Sequence, residues 1–199
     1  SHRSEMGTGS RTSLPMVVAD EMEADWSKVK IVQAEGDEAK YGNQDTDGSR
    51  SIRHFVQPMR ACGAAARQML EKAAALAWGV PDTEVRAQNH KVVHVPSGKS
   101  LGYGDLAVAA SALPTPSLKS LSLKSSAEFR YIGKGNVQMT DLHNITTGKA
   151  MYAQDIAVPG MKFAVVARPP VVGGKATKWD ADAAMKVPGV VKVVAIPAT

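Results

Sequence analysis

The stretch that most constrains this chain runs from about Arg53 to Trp78. Apolar residues recur there at Val56, Met59, Gly63, Ala66, Leu70, Ala73 and Ala77. Gaps of three and four are the helical period, and sustained over this length they predict one long helix. Gly79 and Pro81 end it, since glycine accepts the left-handed cap and proline cannot continue the ladder. Pro58 is expected in the first turns or at a kink. Gly63 among alanines points to close packing against another element, such as a sheet. Immediately upstream lies the polar loop Asp45-Thr46-Asp47-Gly48-Ser49-Arg50-Ser51, preceded by the turn-forming Tyr41-Gly42-Asn43-Gln44. Ser49 or Ser51 is the expected N-cap. Glycine, serine and arginine at a helix start bring backbone N–H groups, hydroxyls and a guanidinium to one place, which is phosphate-holding chemistry. An ordinary capped loop uses the same residues, so the loop alone does not decide.

Other segments supply the surroundings. Gly7-Thr8-Gly9 is a second glycine turn feeding a helix. That helix is expected from an N-cap at Ser13, with Pro15 in its first turn, to about Ala24. Leu14, Val17, Val18 and Met22 share its inner face, while Asp20, Glu21 and Glu23 face out. Val29 to Ala34 reads as a half-buried strand, and Glu35 to Asp47 as a polar loop. Glu84–Ala87 and Lys91–Val95 predict a hairpin about Gln88-Asn89-His90. Tyr103-Gly104-Asp105 opens a short helix to about Leu113, with Leu106, Val108 and Ala109 inward. Residues 114–139 read as a linker whose first half is rich in proline, serine and lysine. Beyond it, strands are expected over Ala150–Ile156, Lys162–Arg168 and Val190–Ile196, with a short helix over Asp180–Lys186. The fold class is therefore α+β in two adjoining units, 1–113 and 140–199.

Composition narrows function mainly by exclusion. At 199 residues, 44% hydrophobic and 22% charged, the chain has the balance of a globular protein. No apolar run approaches the roughly 18 residues of a membrane span. The net charge of +5 comes with only 5% aromatics and no stacking platform, so nucleic acid is not the expected partner. The one cysteine, Cys62, excludes an internal disulfide, and its place on the long helix predicts a buried small hydrophobe. The five histidines lack metal-ligand spacing, and His90 and His94 are expected on the hairpin surface. No Gly-x-Ser-x-Gly elbow or P-loop is present, and Gly133-Lys134-Gly135 reads as a turn. Asp37, Asp45 and Asp47 could face a cation, but nothing fixes their geometry and acidic loop solvation accounts for them better. No catalytic or metal-binding residue is assigned. What remains is two glycine-bearing turns, each ahead of a helix, whose N-termini would form a diphosphate cradle if they converged.

The residues of those turns also carry a resemblance. Glu5-Met6-Gly7-Thr8-Gly9, with Thr12 and Val18-Ala19-Asp20-Glu21 following, resembles the Glu-Met-Gly-Gln-Gly stretch of molybdenum hydroxylases. Trp26-Ser27-Lys28-Val29, Tyr41-Gly42-Asn43-Gln44 and Gly48-Ser49-Arg50-Ser51 continue it in register. Thr147-Gly148-Lys149-Ala150, Asp155-Ile156, Pro159-Gly160-Met161, Ala167-Arg168-Pro169-Pro170 and Val187-Pro188-Gly189-Val190 resemble the start of that family's α/β hammerhead domain. The branch is that of isoquinoline 1-oxidoreductase and aldehyde dehydrogenase large subunits, within the xanthine dehydrogenase superfamily.

The resemblance implies a partial molybdopterin-binding domain over 1–113 and a hammerhead-like domain over 140–199. It implies a molybdopterin cofactor in its cytosine dinucleotide form, with Gly7, Thr8 and Gly9 on the pterin side and Gly48, Ser49, Arg50 and Ser51 holding phosphates. It implies a parent oxidoreductase that hydroxylates aldehydes or nitrogen heterocycles with water-derived oxygen, and a separate small subunit carrying two [2Fe-2S] clusters. Many members of the branch carry a twin-arginine signal, so a periplasmic location is expected, a cytoplasmic one otherwise. The abrupt opening at Ser1 and the ending at Thr199 read as those of a fragment. Lacking the family's distal glutamate base, the fragment is expected to be inactive alone and to hold no cofactor. Two departures from the pattern stand out, Thr8 in place of glutamine and Asp47 in place of glycine. The competing readings are an anion-binding or interaction module without enzymatic activity, and a family member that has lost the cofactor.

Overall fold

The computed structural model describes residues 1–196. The chain divides into two units, Ser1–Ala150 and Met151–Thr199, each treated separately.

The first unit is built on two crossing helices. Helix α1 spans Ser10–Glu21. It begins ahead of Ser13 because Gly9 takes the left-handed conformation (φ 79°) and starts the spiral there, leaving Pro15 inside the helix. Short helices α2 (Glu38–Tyr41) and α3 (Arg50–Arg53) punctuate the polar loop. Helix α4 (Val56–Trp78) is the long helix that the periodicity predicts, with Pro58 in its first turn, where it costs no intrahelical bond. Gly79 ends it in the left-handed cap at φ 65°. The element packed on Gly63 is a helix: a β-carbon there would lie 2.7 Å from both Glu21 Cβ and the Val18 carbonyl oxygen of α1. Cys62 is exposed, because the packed side of α4 belongs to Gly63 and Ala64, a turn of about 100° away.

Farther along, α4 covers a small antiparallel sheet of β1 (Val85–Gln88), β2 (Lys91–His94) and β3 (Ser100–Gly102), in the order β1-β2-β3. The hairpin turns at Asn89 (φ 46°) and His90 (φ 68°), the paired positive angles of a two-residue loop. Helix α5 (Tyr103–Ser111) follows directly on β3. Its inner residues are Tyr103, Leu106 and Ala110, whereas Val108 is exposed, so the expected face is rotated. The core gathers Leu70, Ala73, Ala74 and Ala75 of α4 with Val85, Ala87, Val92, Tyr103, Leu106 and Ala110. A last helix of this unit, α6, covers Leu142–Thr146. Helices and one small sheet make an α+β arrangement.

Three expectations change here. Asp20 and Glu21 are not on an outer face; both are fully buried. Val29–Ala34 is extended but enters no sheet: Ala34 N–H donates to the Ser1 carbonyl and the Ser1 amino group to the Val32 carbonyl, each at 2.7 Å. A strand needs a longer ladder than these two bonds. Of residues 114–139, expected as a linker, the stretch 120–132 is tied down on α1 and α4. Lys124 is buried, its Nζ 2.9 Å from Asp20 Oδ1, and Asp20 also accepts the N–H groups of Arg130, Tyr131 and Ile132 at 2.9 to 3.0 Å. Glu21 accepts from Arg60 Nε (2.6 Å) and from the Lys124 N–H (3.1 Å).

The second unit contains helix α7 (Ala181–Met185), with Asp180 as its N-cap accepting from Asp182 and Ala183. The strands expected over Ala150–Ile156, Lys162–Arg168 and Val190–Ile196 are not formed among the described residues. An apolar pattern makes a strand only when another strand completes its ladder. Here Phe163 and Val165 stay 88% and 98% exposed, which shows that no partner covers them.

Candidate functional site

Both glycine turns belong to the first unit, and the structure joins the loops at their bases. The Ser4 N–H and hydroxyl both donate to the Gln44 carbonyl (2.9 and 2.8 Å), and the Thr46 hydroxyl donates to the Ser4 carbonyl. Gln44 Nε2 reaches back to the His2 carbonyl at 3.0 Å. Beneath these bonds lies Arg3, only 1% exposed. Its Nε donates to Ser51 Oγ (3.1 Å), its Nη1 donates to Asn43 Oδ1 (2.8 Å) and to the Asn43 carbonyl, and its guanidinium carbon sits 5.0 Å from the Phe55 ring centre. The sequence reading missed Arg3, because an arginine beside a loop carries no periodic or spacing signal.

The turn at Gly7, Thr8 and Gly9 is held by a carboxylate. Glu5 Oε1 accepts the Gly9 N–H (3.0 Å) and the Thr8 hydroxyl (3.5 Å), and Oε2 accepts the Arg11 N–H (2.9 Å). Burial pushes the Glu5 pKa up, but the N–H groups of Arg11, Gly9, Gly7 and Thr8 outweigh it and hold the carboxyl below its ordinary value. The N-terminus of α1 is thus already served by an internal anion, which is how a helix start satisfies its free N–H groups. The expected cradle of two open helix N-termini is therefore reduced to one. Gly7 and Thr8 remain exposed at the turn's surface, while Gly9 is buried.

The second loop keeps its donors. Gly48 (φ 46°) and Ser49 (φ 58°) are consecutive left-handed residues leading into α3, and their N–H groups have no protein acceptor among the described residues. A left-handed serine costs about 1–2 kcal/mol, so the surroundings hold this conformation against its own preference. Ser49 stands at the N-cap of α3 without a hydroxyl cap bond, and Ser51 lies inside the helix, buried, with its Oγ 3.1 Å from Thr46 Oγ1. Neither serine caps the long helix as expected. Arg50 pairs with Asp47, Nε to Oδ1 at 2.8 Å and Nη2 to Oδ2 at 2.5 Å. The Arg50 hydrogen bond pulls the Asp47 pKa down, and Asp47 raises that of Arg50. Arg50 Nη1 has no protein partner among the described residues.

Other polar groups have local duties. Asp37 caps α2 through the Lys40 N–H (3.1 Å), and Asp45 accepts from Asn43 Nδ2 (2.8 Å). His94 bridges Glu84 (2.9 Å) and Ser97 (2.6 Å) at the hairpin end. No group of three His, Cys, Asp or Glu side chains able to hold a metal occurs among the described residues. No helix among them is long and apolar enough to cross a membrane. A cavity of about 750 Å³ lies between α1 and the extended Val29–Glu35 stretch, lined mainly by apolar groups.

Comparison with known proteins gives the family. The family model of the molybdopterin cofactor-binding domain matches residues 2–166, and the chain belongs to this family, in the line of molybdenum hydroxylase large subunits. It is 32% identical over 231 residues to the beta chain of isoquinoline 1-oxidoreductase from Brevundimonas diminuta, covering 97% of this chain and 29% of that protein. It is 34% identical over 199 residues to the membrane-bound aldehyde dehydrogenase [pyrroloquinoline-quinone] of Gluconacetobacter polyoxogenes, covering 98% and 25%. It is 30% identical over 201 residues to a nicotinate dehydrogenase subunit of Pseudomonas putida, covering 96% and 16%. The chain therefore spans under a third of the length of each of these relatives.

The residues present fit an anionic cofactor at the second loop. Arg3 is a buried cation with no carboxylate partner among the described residues, and its Nη2 lacks any hydrogen-bond acceptor. Such a group is costly unless a counter-charge is nearby. The open N–H groups of Gly48 and Ser49 and the free edge of Arg50 add further donors.

Proposed function

We propose that this chain forms part of the cofactor-binding region of an oxidoreductase large subunit, holding molybdopterin in its cytosine dinucleotide form. Gly48, Ser49 and Arg50 hold phosphate oxygens through main-chain N–H groups and the guanidinium, and Ser51 supports them from the buried side. Gly7, Thr8 and Gly9 border the pterin. The observation that carries this reading is the set of unfilled donors at 48–50 above a buried, unpaired Arg3, in a chain of this family. When bound, the cofactor supplies a two-electron redox centre at which water-derived oxygen is added to an aldehyde or nitrogen heterocycle. The chain's own part is to bind and orient it.

Residues 140–199 belong to an α/β hammerhead-like domain. The electron acceptor is a small subunit with two [2Fe-2S] clusters, and the assembly works in the periplasm. A second reading, a family member without cofactor, draws on the two carboxylates that occupy anion positions, Glu5 on α1 and Asp47 on Arg50.

Metal analysis with pterin and nucleotide release on the full-length chain separates the two. About one molybdenum and one cytidine nucleotide per chain are expected, with both much reduced in Arg50→Ala. Metal-free protein, from cells that load other molybdenum enzymes, would overturn the proposal. Unchanged occupancy in Arg50→Ala would remove Arg50 from the phosphate site.

A further inference from the structure

We propose that Arg3 is a positioning residue for the cofactor site, fixing the 43–51 loop against the Ser4–Gly9 loop through its guanidinium fork; this rests on the function proposed above. Arg3 sits one residue ahead of the Ser4 main-chain contacts, and its bonds go to both ends of the facing loop. Nη1 holds Asn43 where the loop enters, and Nε holds Ser51 just after Gly48 and Ser49. Between those anchors the backbone passes through two left-handed residues, a conformation that Gly48 accepts freely but Ser49 does not favour. A rigid planar fork bonded at two points on the loop, with its plane against Phe55, is the device that can hold such a shape. Lysine has a point charge and cannot occupy both anchors with the same geometry.

The fork also explains a choice otherwise odd in a folded chain. All of its bonded acceptors are neutral, so the charge is not consumed by an ion pair, and one nitrogen stays unpaired. A residue selected only to brace the loop would cost less as a neutral donor, since burying an unpaired charge is strongly unfavourable. The retained charge is bonded to both ends of the loop whose N–H groups are open.

The test uses the full-length chain, with Arg3→Lys and Arg3→Gln beside wild type and Arg50→Ala. Two readouts are taken: molybdenum and pterin content, and hydrogen exchange of the backbone in cofactor-free protein. Both Arg3 variants are expected to lower cofactor content at least about tenfold, the scale of a lost charged hydrogen bond. Exchange should quicken at 43–51 while the core of α4 keeps its protection. Full cofactor content in Arg3→Lys overturns the fork, and full content in both variants overturns the assignment. Loss of protection across α4 as well overturns it in favour of a general structural role. If wild type itself holds no molybdopterin, the proposed function fails; the exchange readout at 43–51 then still decides whether Arg3 sets the loop.

Discussion

Asp20 is the residue whose replacement tests the fold most sharply. Its two carboxylate oxygens face four donors: Oδ1 takes Lys124 Nζ (2.9 Å) and the Arg130 N–H (3.0 Å), and Oδ2 takes the N–H groups of Tyr131 (3.0 Å) and Ile132 (2.9 Å). In Asp20→Asn, either orientation of the amide turns its NH2 toward two of those donors. Two charge-assisted bonds are lost at roughly 1.5–3 kcal/mol each, and the buried Lys124 keeps only Glu23 as a carboxylate partner. The expected cost is about 3–5 kcal/mol, a large share of the roughly 5–15 kcal/mol that holds a domain together. Hydrogen exchange on the full-length chain reads it, with the amides of Arg130, Tyr131 and Ile132 exchanging about two to three orders of magnitude faster. Acid titration gives a second signature. Burial raises the Asp20 pKa, but the Ile132 N–H, the Lys124 ammonium and the N–H groups of Arg130 and Tyr131 outweigh it, and the carboxyl ends below its ordinary 3.8. A depressed carboxylate stabilises fully above the unfolded value near 3.8, and the contribution is lost as pH falls through the lower folded value. Wild type should therefore loosen at 130–132 under acid, and the variant should lack that dependence. Exchange within about threefold of wild type would refute the reasoning, since two unmatched buried donors cannot cost so little.

Two further substitutions probe the frame. Gly63→Ala gains about 1 kcal/mol of helix propensity but places its β-carbon against the Val18 carbonyl of α1. A net loss of about 1–3 kcal/mol is expected, read as a lowered denaturation midpoint. Tyr103→Phe leaves the Met22 carbonyl without the phenol that donates to it, at a cost of about 1–3 kcal/mol. It should speed exchange around the end of α1 without altering cofactor content.

What could be read from the chain alone follows the range of the interaction responsible. The long helix is legible because its period repeats at every turn, and the hairpin because Asn89 and His90 supply the angles that its two-residue loop requires. The start of α1 was misplaced because its N-cap is the left-handed Gly9, whose N–H is taken by the Glu5 carboxylate, rather than a serine at the boundary. Asp20 and Lys124 are 104 residues apart, so nothing local marks either as buried. The same holds for Arg3 and Ser51, 48 residues apart. Both glycine turns were legible as loops that the structure joins, since glycine, serine and arginine are local necessities of such turns. The strands of the second unit were read from apolar stretches that no neighbouring strand covers among the described residues.

The position of Asp47 gives the cofactor question its most direct handle. An incoming phosphate and the Asp47 carboxylate compete for the same guanidinium, because Arg50 presents Nε and Nη2 to Asp47 and keeps only Nη1 and the outer edge of Nη2 for another anion. Both side chains are half exposed, at 41% and 54%, so solvent screens their attraction and either can turn away. The pairing therefore weakens a phosphate site without closing it. Asp47→Asn keeps the loop's size and its polar reach while removing the competing charge, and the free fork is then available for bidentate contact. If 48–50 hold phosphate, cofactor retention during dialysis of the full-length protein should improve about two- to fivefold, the scale of one exposed ion pair. Combining it with Arg50→Ala should cancel the gain, because the benefit passes through that guanidinium alone. Equal improvement with and without Arg50 would mean that Asp47 acts on the ligand through space, and no improvement would mean that the phosphates lie elsewhere.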